Sequence, residues 1–183
     1  MKIIVTGSLG NIGRILSESL IKGGHEVTVV SHSADRAAEI ASLGGTAAIG
    51  SIADGDFLSE VFSGADAVFA MTPPAMGRAN IIANMTAAGR AFAEAFERAA
   101  IRRVVFLSSV GADLSAGTGP IAGLHNIEQI LDRLPDVGVT HLRAGYFFTN
   151  FYLDIPMIRE AGILGSNFPP ELGLADYYDE RYH

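Results

Sequence analysis

The stretch Lys2-Ile3-Ile4-Val5-Thr6-Gly7-Ser8-Leu9-Gly10-Asn11-Ile12-Gly13 decides the fold. An apolar, β-branched run meets glycines at three-residue spacing, after which Ile12, Ile15, Leu16 and Leu20 recur with a helical period. A strand, a tight turn and a helix are predicted in direct succession. Gly7 suits the turn off the strand, Gly10 lets a ligand approach the backbone without meeting a Cβ, and Gly13 permits close helix–strand packing. The helix that follows aims its unpaired N–H groups and positive dipole end at the loop, an arrangement that holds a pyrophosphate. Gly7, Ser8, Leu9, Gly10, Asn11, Ile12 and Gly13 are therefore candidate cofactor-binding residues. The competing reading gives the glycines a turn and close packing only.

Outward from this stretch, short apolar runs alternate with helical patterns. The runs are Val27-Thr28-Val29-Val30, Thr46-Ala47-Ala48-Ile49, Ala67-Val68-Phe69-Ala70, Val104-Val105-Phe106-Leu107 and Val139-Thr140-His141-Leu142. Most are apolar on both faces, as a parallel strand covered by helices on each side requires. Helical spacing returns in Ile81, Met85, Phe92, Phe96 and Ala99, and again in Leu124, Ile127, Leu131 and Leu134. The pattern predicts an α/β protein: a doubly wound parallel sheet of about six strands with crossover helices. It stops near Gly165, so the expected organisation is one domain over residues 1–165 and a tail over residues 166–183, beginning Ser166-Asn167-Phe168-Pro169-Pro170.

Composition narrows the function. The 183 residues contain no Cys, which removes a disulfide framework, a thiolate nucleophile and Cys-based metal sites. A net charge of −7, with 20 acidic and 13 basic residues and no Lys/Arg block, argues against direct nucleic-acid binding. No apolar run reaches the roughly 18 residues of a membrane span, and the first strand begins at Lys2 without a leader pattern, so a soluble, cytoplasmic protein is expected. Scattered His residues without a His-Glu-x-x-His pattern predict no metal site, and the absence of Gly-x-Ser-x-Gly removes the hydrolase reading.

The glycine spacing, together with Ser63-Gly64-Ala65-Asp66-Ala67-Val68-Phe69, Val105-Phe106-Leu107-Ser108-Ser109 and Leu142-Arg143-Ala144-Gly145-Tyr146-Phe147-Phe148-Thr149-Asn150, resembles the short-chain dehydrogenase/reductase superfamily. More narrowly, it resembles the superfamily's atypical NmrA-like branch of NAD(P)-binding Rossmann-fold proteins. The resemblance covers residues 1–165. Members of that branch are usually longer, so the part completing the substrate side is expected to be shortened or replaced here. The resemblance also implies that Ser51 and Ile52 lie near adenine and that Met71, Thr72 and Pro73 flank the ribose and nicotinamide.

The second strand bears on which cofactor is used. An NAD site usually has Asp or Glu at its end, where the carboxylate holds the ribose hydroxyls and repels a 2′-phosphate. Here the segment reads Val29-Val30-Ser31-His32-Ser33, with Arg36 following. Ser31, His32 and Ser33 can hydrogen-bond a phosphate and Arg36 can fork onto it, so NADP(H) is expected in preference to NAD(H). In the competing reading Ser33 caps a helix and Arg36 pairs with Asp35 or Glu39 at the surface.

The Tyr-x-x-x-Lys pair of ordinary short-chain reductases is missing from Gly119-Pro120-Ile121-Ala122-Gly123-Leu124-His125-Asn126-Ile127-Glu128-Gln129. His125 is the candidate titrating group there, the other reading being a surface partner of Glu128 or Gln129. Ser108 and Ser109 stand where the superfamily has its substrate-orienting Ser, though such a pair also serves turns. Ser108 is assigned to the cofactor, and Ser109, His125 and Tyr146 are the candidate catalytic residues; Tyr146 reads equally as a packed aromatic. Two functions follow, and a third reading is a shortened, catalytically empty family member that retains the cofactor fold. One is an NADPH-dependent oxidoreductase reducing a quinone or similar acceptor, which accepts hydride without a strong protein acid. The other is a non-catalytic redox sensor acting through a protein partner. A homodimer is compatible with either.

Overall fold

A computed structural model describes residues 1–73 and 79–163. The tail over 166–183 lies outside the described residues. Six strands, β1 (Lys2–Val5), β2 (Glu26–Ser31), β3 (Thr46–Ile49), β4 (Ala67–Ala70), β5 (Arg103–Ser109) and β6 (Gly138–Ala144), form one sheet in the order β3-β2-β1-β4-β5-β6. The registered pairs β1–β2, β1–β4, β2–β3 and β4–β5 are parallel. Strand order reverses direction at β1, between β2 and β4, and an open sheet binds ligands at such a switch point.

Successive side chains of a strand point to opposite faces, and the core divides accordingly. Val5, Val27, Val29 and Phe69 belong to one apolar cluster, together with Leu9, Ile40, Ile12, Leu16 and Leu20 from the glycine loop, α1 (Asn11–Lys22) and α2 (Ala37–Ser42). Ile4, Val30, Val68 and Phe106 belong to the other. There they meet Leu58 and Phe62 of α3 (Gly55–Phe62), Phe92 and Phe96 of α4 (Ile81–Arg98), and Ile127 and Leu131 of α5 (Ile121–Leu131). Phe96 stacks on both Phe62 and Phe92, with ring centroids 5.4 and 6.0 Å away. The expected Met and Phe positions of α4 are thus core.

Local chemistry accounts for the element ends. Asp54 caps α3, its carboxylate accepting from the Phe57 N–H at 3.0 Å. Two expectations need correction. Ile15 matches the apolar period of α1, yet it is 67% exposed, so the buried stripe of that helix is narrower than the pattern. Val105 of β5 and Leu142 of β6 are exposed as well, because α1 and α2 pack beside β2 and β3 and do not extend over that end of the sheet.

The described residues form two compact units, Met1–Arg143 and a second beginning at Ala144. The second contains a 3-10 segment, Phe148–Asp154, and α6 (Ile155–Ala161), which starts with Pro at its second position and ends on Gly162 in the left-handed region.

One buried charge ties α5 to the sheet. Glu128 is 1% exposed and accepts from the Ser108 hydroxyl at 2.5 Å and from Arg143 Nε at 3.1 Å and Nη2 at 2.6 Å. Burial pushes its pKa up, but the Arg143 and Ser108 hydrogen bonds outweigh burial and hold it below the ordinary 4.5. A depressed carboxylate contributes stability that is present above its unfolded pKa and lost as pH falls through the lower folded value. Glu128→Gln is expected to cost about 1–3 kcal/mol at neutral pH, since it leaves Arg143 partly unpaired. Thermal melts from pH 7 down to pH 3 check this: the variant should lose part of the wild-type acid sensitivity below pH 4.5 as well as neutral stability.

Candidate dinucleotide site

The site begins where β1 ends. Thr6 is fully buried; its N–H donates to the Phe69 carbonyl at 2.9 Å, while its hydroxyl donates to the Met71 carbonyl at 3.1 Å and accepts from the Met71 N–H at 2.8 Å. These bonds lock the end of β1 to the end of β4. The chain then turns through Gly7 (φ +96) and Ser8 (φ +57), both in the left-handed region. For Ser8 that conformation costs roughly 1 kcal/mol. Its N–H donation to the Val30 carbonyl at 3.0 Å and its hydroxyl bond to Ser31 Oγ at 3.0 Å offset the cost.

The three glycines differ in what demands them. A Cβ on Gly13 would collide with the Ser8 backbone carbonyl, and one on Gly7 would meet the Met71 side chain. Gly10 is different: its φ of −73° suits any residue, and a Cβ there would touch only the Gly7 carbonyl oxygen, at 3.7 Å. Among the described residues nothing crowds a Cβ at that position, which leaves Gly10 open to approach by a ligand. Gly10 is also the N-cap of α1, where no side chain caps the helix and no acid occupies the first turn. The first-turn N–H groups of Asn11, Ile12 and Gly13 therefore have no partner within the helix or from a capping side chain. A pyrophosphate suits these features by charge, by donor count and by the room at Gly10.

Beside the loop lies a cleft of about 570 Å³ lined by Gly7, Ser8, Leu9, Gly10, Ser31, His32, Ser33, Asp35, Arg36 and Glu39. It joins the glycine loop to the end of β2, two groups that the sequence offered separately. Their roles differ from residue to residue. The Ser31 hydroxyl donates to the Ser33 carbonyl at 3.2 Å and accepts from Ser8 Oγ and from the Ser33 N–H. One proton and two lone pairs are all a hydroxyl has, so Ser31 positions the loop and keeps nothing for a phosphate in this arrangement. Ser33 leads into a 3-10 turn, Ala34–Arg36, without capping it, and its hydroxyl lies 3.4 Å from Asp35. Arg36 Nη1 bonds Glu39 Oε2 at 2.6 Å, and Arg14 Nη2 engages Oε1 of the same carboxylate. The surface-pair reading of Arg36 is therefore present in the structure, inside the cleft.

The remaining candidates spread along the carboxyl ends of the strands. Ser51 Oγ accepts from the Ala53 N–H at 3.1 Å, and Ile52 packs against the core. Met71 is partly buried over Gly7, and Pro73 is exposed. The Thr72 hydroxyl is buried without a hydrogen-bond partner among the described residues. Ser108 is buried, its hydroxyl committed to Glu128, so its place is in the α5 contact rather than beside the loop. Ser109 bonds the adjacent Val110 carbonyl at 3.0 Å. His125 does not pair with Glu128 or Gln129: its Nδ1 donates to the Ala112 carbonyl at 2.8 Å, which leaves the lone pair of the neutral ring on Nε2. Tyr146 belongs to the second unit, where its ring meets Phe151 edge-on at 5.3 Å. Among the described residues no His/Cys/Asp/Glu group could hold a metal ion, and no helix is long and apolar enough to cross a membrane.

Sequence reasoning offered Glu39 only as a surface partner of Arg36 and Glu128 only as a surface partner of His125, and missed their places in the cleft and the core, although both left a signal. Glu39 follows Arg36 by three residues, the spacing of a helical ion pair. Glu128 falls on the stripe Leu124, Ile127, Leu131, where an acid must be buried and paired.

Fold and loop together define a dinucleotide-binding α/β protein. The family described as NAD(P)H-binding matches residues 7–135, and the chain belongs to that family. An uncharacterised protein of Schizosaccharomyces pombe is 38% identical over 68 residues, 37% of this chain and 23% of that protein. Among solved structures, an NADPH-dependent quinone oxidoreductase of Escherichia coli in complex with NADPH matches with a TM-score of 0.75 at 21% identity, covering 87% of this chain and 54% of that one. The triphenylmethane reductase of Citrobacter sp. with NADP(H) matches with a TM-score of 0.73 at 16% identity, over 87% of this chain and 55% of that one. The chain thus spans about half the length of these enzymes, and the likeness is one of fold.

A paired substitution separates the roles of the glycines. Gly10→Ala should fold with a stability loss of no more than about 1 kcal/mol, the scale of an N-cap change, while losing dinucleotide affinity. Gly13→Ala should lower the melting temperature even without ligand, because the Ser8 carbonyl must move. Melting curves with and without NADPH read both effects.

Proposed function

We propose that this protein binds NADP(H) and acts as an NADPH-dependent oxidoreductase on a quinone or a similar conjugated acceptor. The observation that carries the reading is the cleft in which the Gly7–Gly10 backbone faces Ser33 and Arg36, with Gly10 open to a ligand and α1 uncapped. In this reading the loop and the start of α1 hold the diphosphate, and Arg36 and Ser33 hold the 2′-phosphate. His32 borders the same cleft. Thr72, with its unpartnered hydroxyl, supplies a hydrogen bond near the nicotinamide ribose.

A nicotinamide cofactor held by these residues would supply a hydride. Reduction of a quinone to the hydroquinone takes that hydride and one proton, and the charge that develops is delocalised over the ring, so a strong protein acid is unnecessary. A simple ketone would need a positioned donor such as the missing Tyr. His125 suits the modest requirement: its Nδ1 is fixed on the Ala112 carbonyl, which presents Nε2 as the atom that exchanges a proton with solvent or acceptor. The Escherichia coli quinone oxidoreductase and the Citrobacter triphenylmethane reductase, the latter acting on triphenylmethane dyes, take acceptors of this class.

A second reading, a redox sensor that binds NADP(H) without turnover and signals to a protein partner, is favoured by the commitment of Ser108, whose hydroxyl is tied to Glu128 and is not offered to a substrate.

Two measurements test these readings. Arg36→Ala should weaken NADPH binding by about 1–3 kcal/mol, the scale of a charged hydrogen bond, with little change for NADH; equal losses would contradict the 2′-phosphate assignment. Oxidation of NADPH with a panel of quinones should proceed in the wild type and fall in His125→Ala. Tight NADPH binding with no acceptor-dependent oxidation would favour the sensor.

A further inference from the structure

We propose that Glu39 is the cofactor-selecting residue of the cleft, holding down the preference for NADPH and keeping NADH acceptable. The inference rests on the dinucleotide reading of the site and adds a residue that the end of β2 does not announce. The strand end carries no acid, yet the folded cleft contains one, because α2 brings the Glu39 carboxylate to the wall that Arg36 also lines.

Both Glu39 oxygens are engaged by cations, Oε2 by Arg36 at 2.6 Å and Oε1 by Arg14. Arg14 is on α1, one turn past Gly10, with Glu18 as a more distant partner at 3.6 Å. Two positive charges therefore converge on one negative charge at the place where the adenosine ribose would lie. A 2′-phosphate carries nearly two negative charges near neutral pH and must draw Arg36 away from Glu39 while facing that carboxylate. A 2′-hydroxyl faces no such conflict and can donate to the carboxylate, as in sites selective for NAD. Glu39 thus penalises NADPH and favours NADH, whereas Arg14 and Arg36 do the opposite. The side chains at this cluster are about one-third to one-half exposed, so they can exchange partners without a large loss of fold stability.

The test is titration of the wild type, E39Q, E39A and the double variant R14Q/E39Q with NADPH and with NADH, at low and moderate salt, with ligand-free melting curves for each. Glu39→Gln removes the charge, keeps the shape and releases both arginines. NADPH affinity should rise about tenfold, the effect of roughly 1.4 kcal/mol, while NADH affinity stays level or falls. Glu39→Ala should move the NADPH-to-NADH ratio in the same direction, and added salt should shrink the gain. Arg14→Gln in the E39Q background should return part of it. An unchanged ratio in both Glu39 variants, or a shift toward NADH, overturns the inference while leaving the dinucleotide reading intact. Failure of the wild type to bind either nucleotide overturns both.

Discussion

The structure depends on one close approach, the Ser8 carbonyl lying against Gly13 where the chain leaves the centre of the sheet and enters α1. No side chain fits between them. The approach is possible because β1 is pinned on both sides, paired with β2 and with β4, and because Thr6 closes its end with three hydrogen bonds. The strained Ser8 backbone is held by Val30 and Ser31 of β2. Strand pairing, loop shape and the direction of the first helix are therefore one arrangement, and the open ground beside Gly10 is its product.

Charge serves two ends in this molecule, and solvent separates them. Glu128 is buried with Arg143 and Ser108, so it acts as a fixed link between α5 and the sheet; breaking such a link exposes the cost of an unpaired charge in a poor solvent. Glu39 pairs with two arginines in a wetter cleft, where water softens every interaction and partners can be exchanged. The first pairing belongs to the architecture. The second is suited to a site where a charged ligand arrives and leaves.

Much of the fold was legible because its signals are local. β-branched runs between glycines and helical stripes placed all six strands within a residue or two of their observed ends, and the glycine triplet found its strand–helix context. Short α2 and α3 left too few periods to read. Ile15 and Val105 misled for a related reason: periodicity says which residues could be buried, and only the neighbouring elements decide whether anything covers them.

The sequence by itself determined the alternation of strands and helices, the glycine loop after the first strand and the absence of an acid at the end of the second. Each of these is carried by residues adjacent in the chain, where backbone sterics and side-chain period act directly. Only the tertiary structure decided that Ser31 spends its hydroxyl on the loop, that Ser108 and Arg143 meet on Glu128, and that Glu39 restores a carboxylate to the cleft beside Arg36. Those outcomes depend on which hydrogen-bonding groups packing brings within 3 Å or so of one another, and separation along the chain carries no record of that.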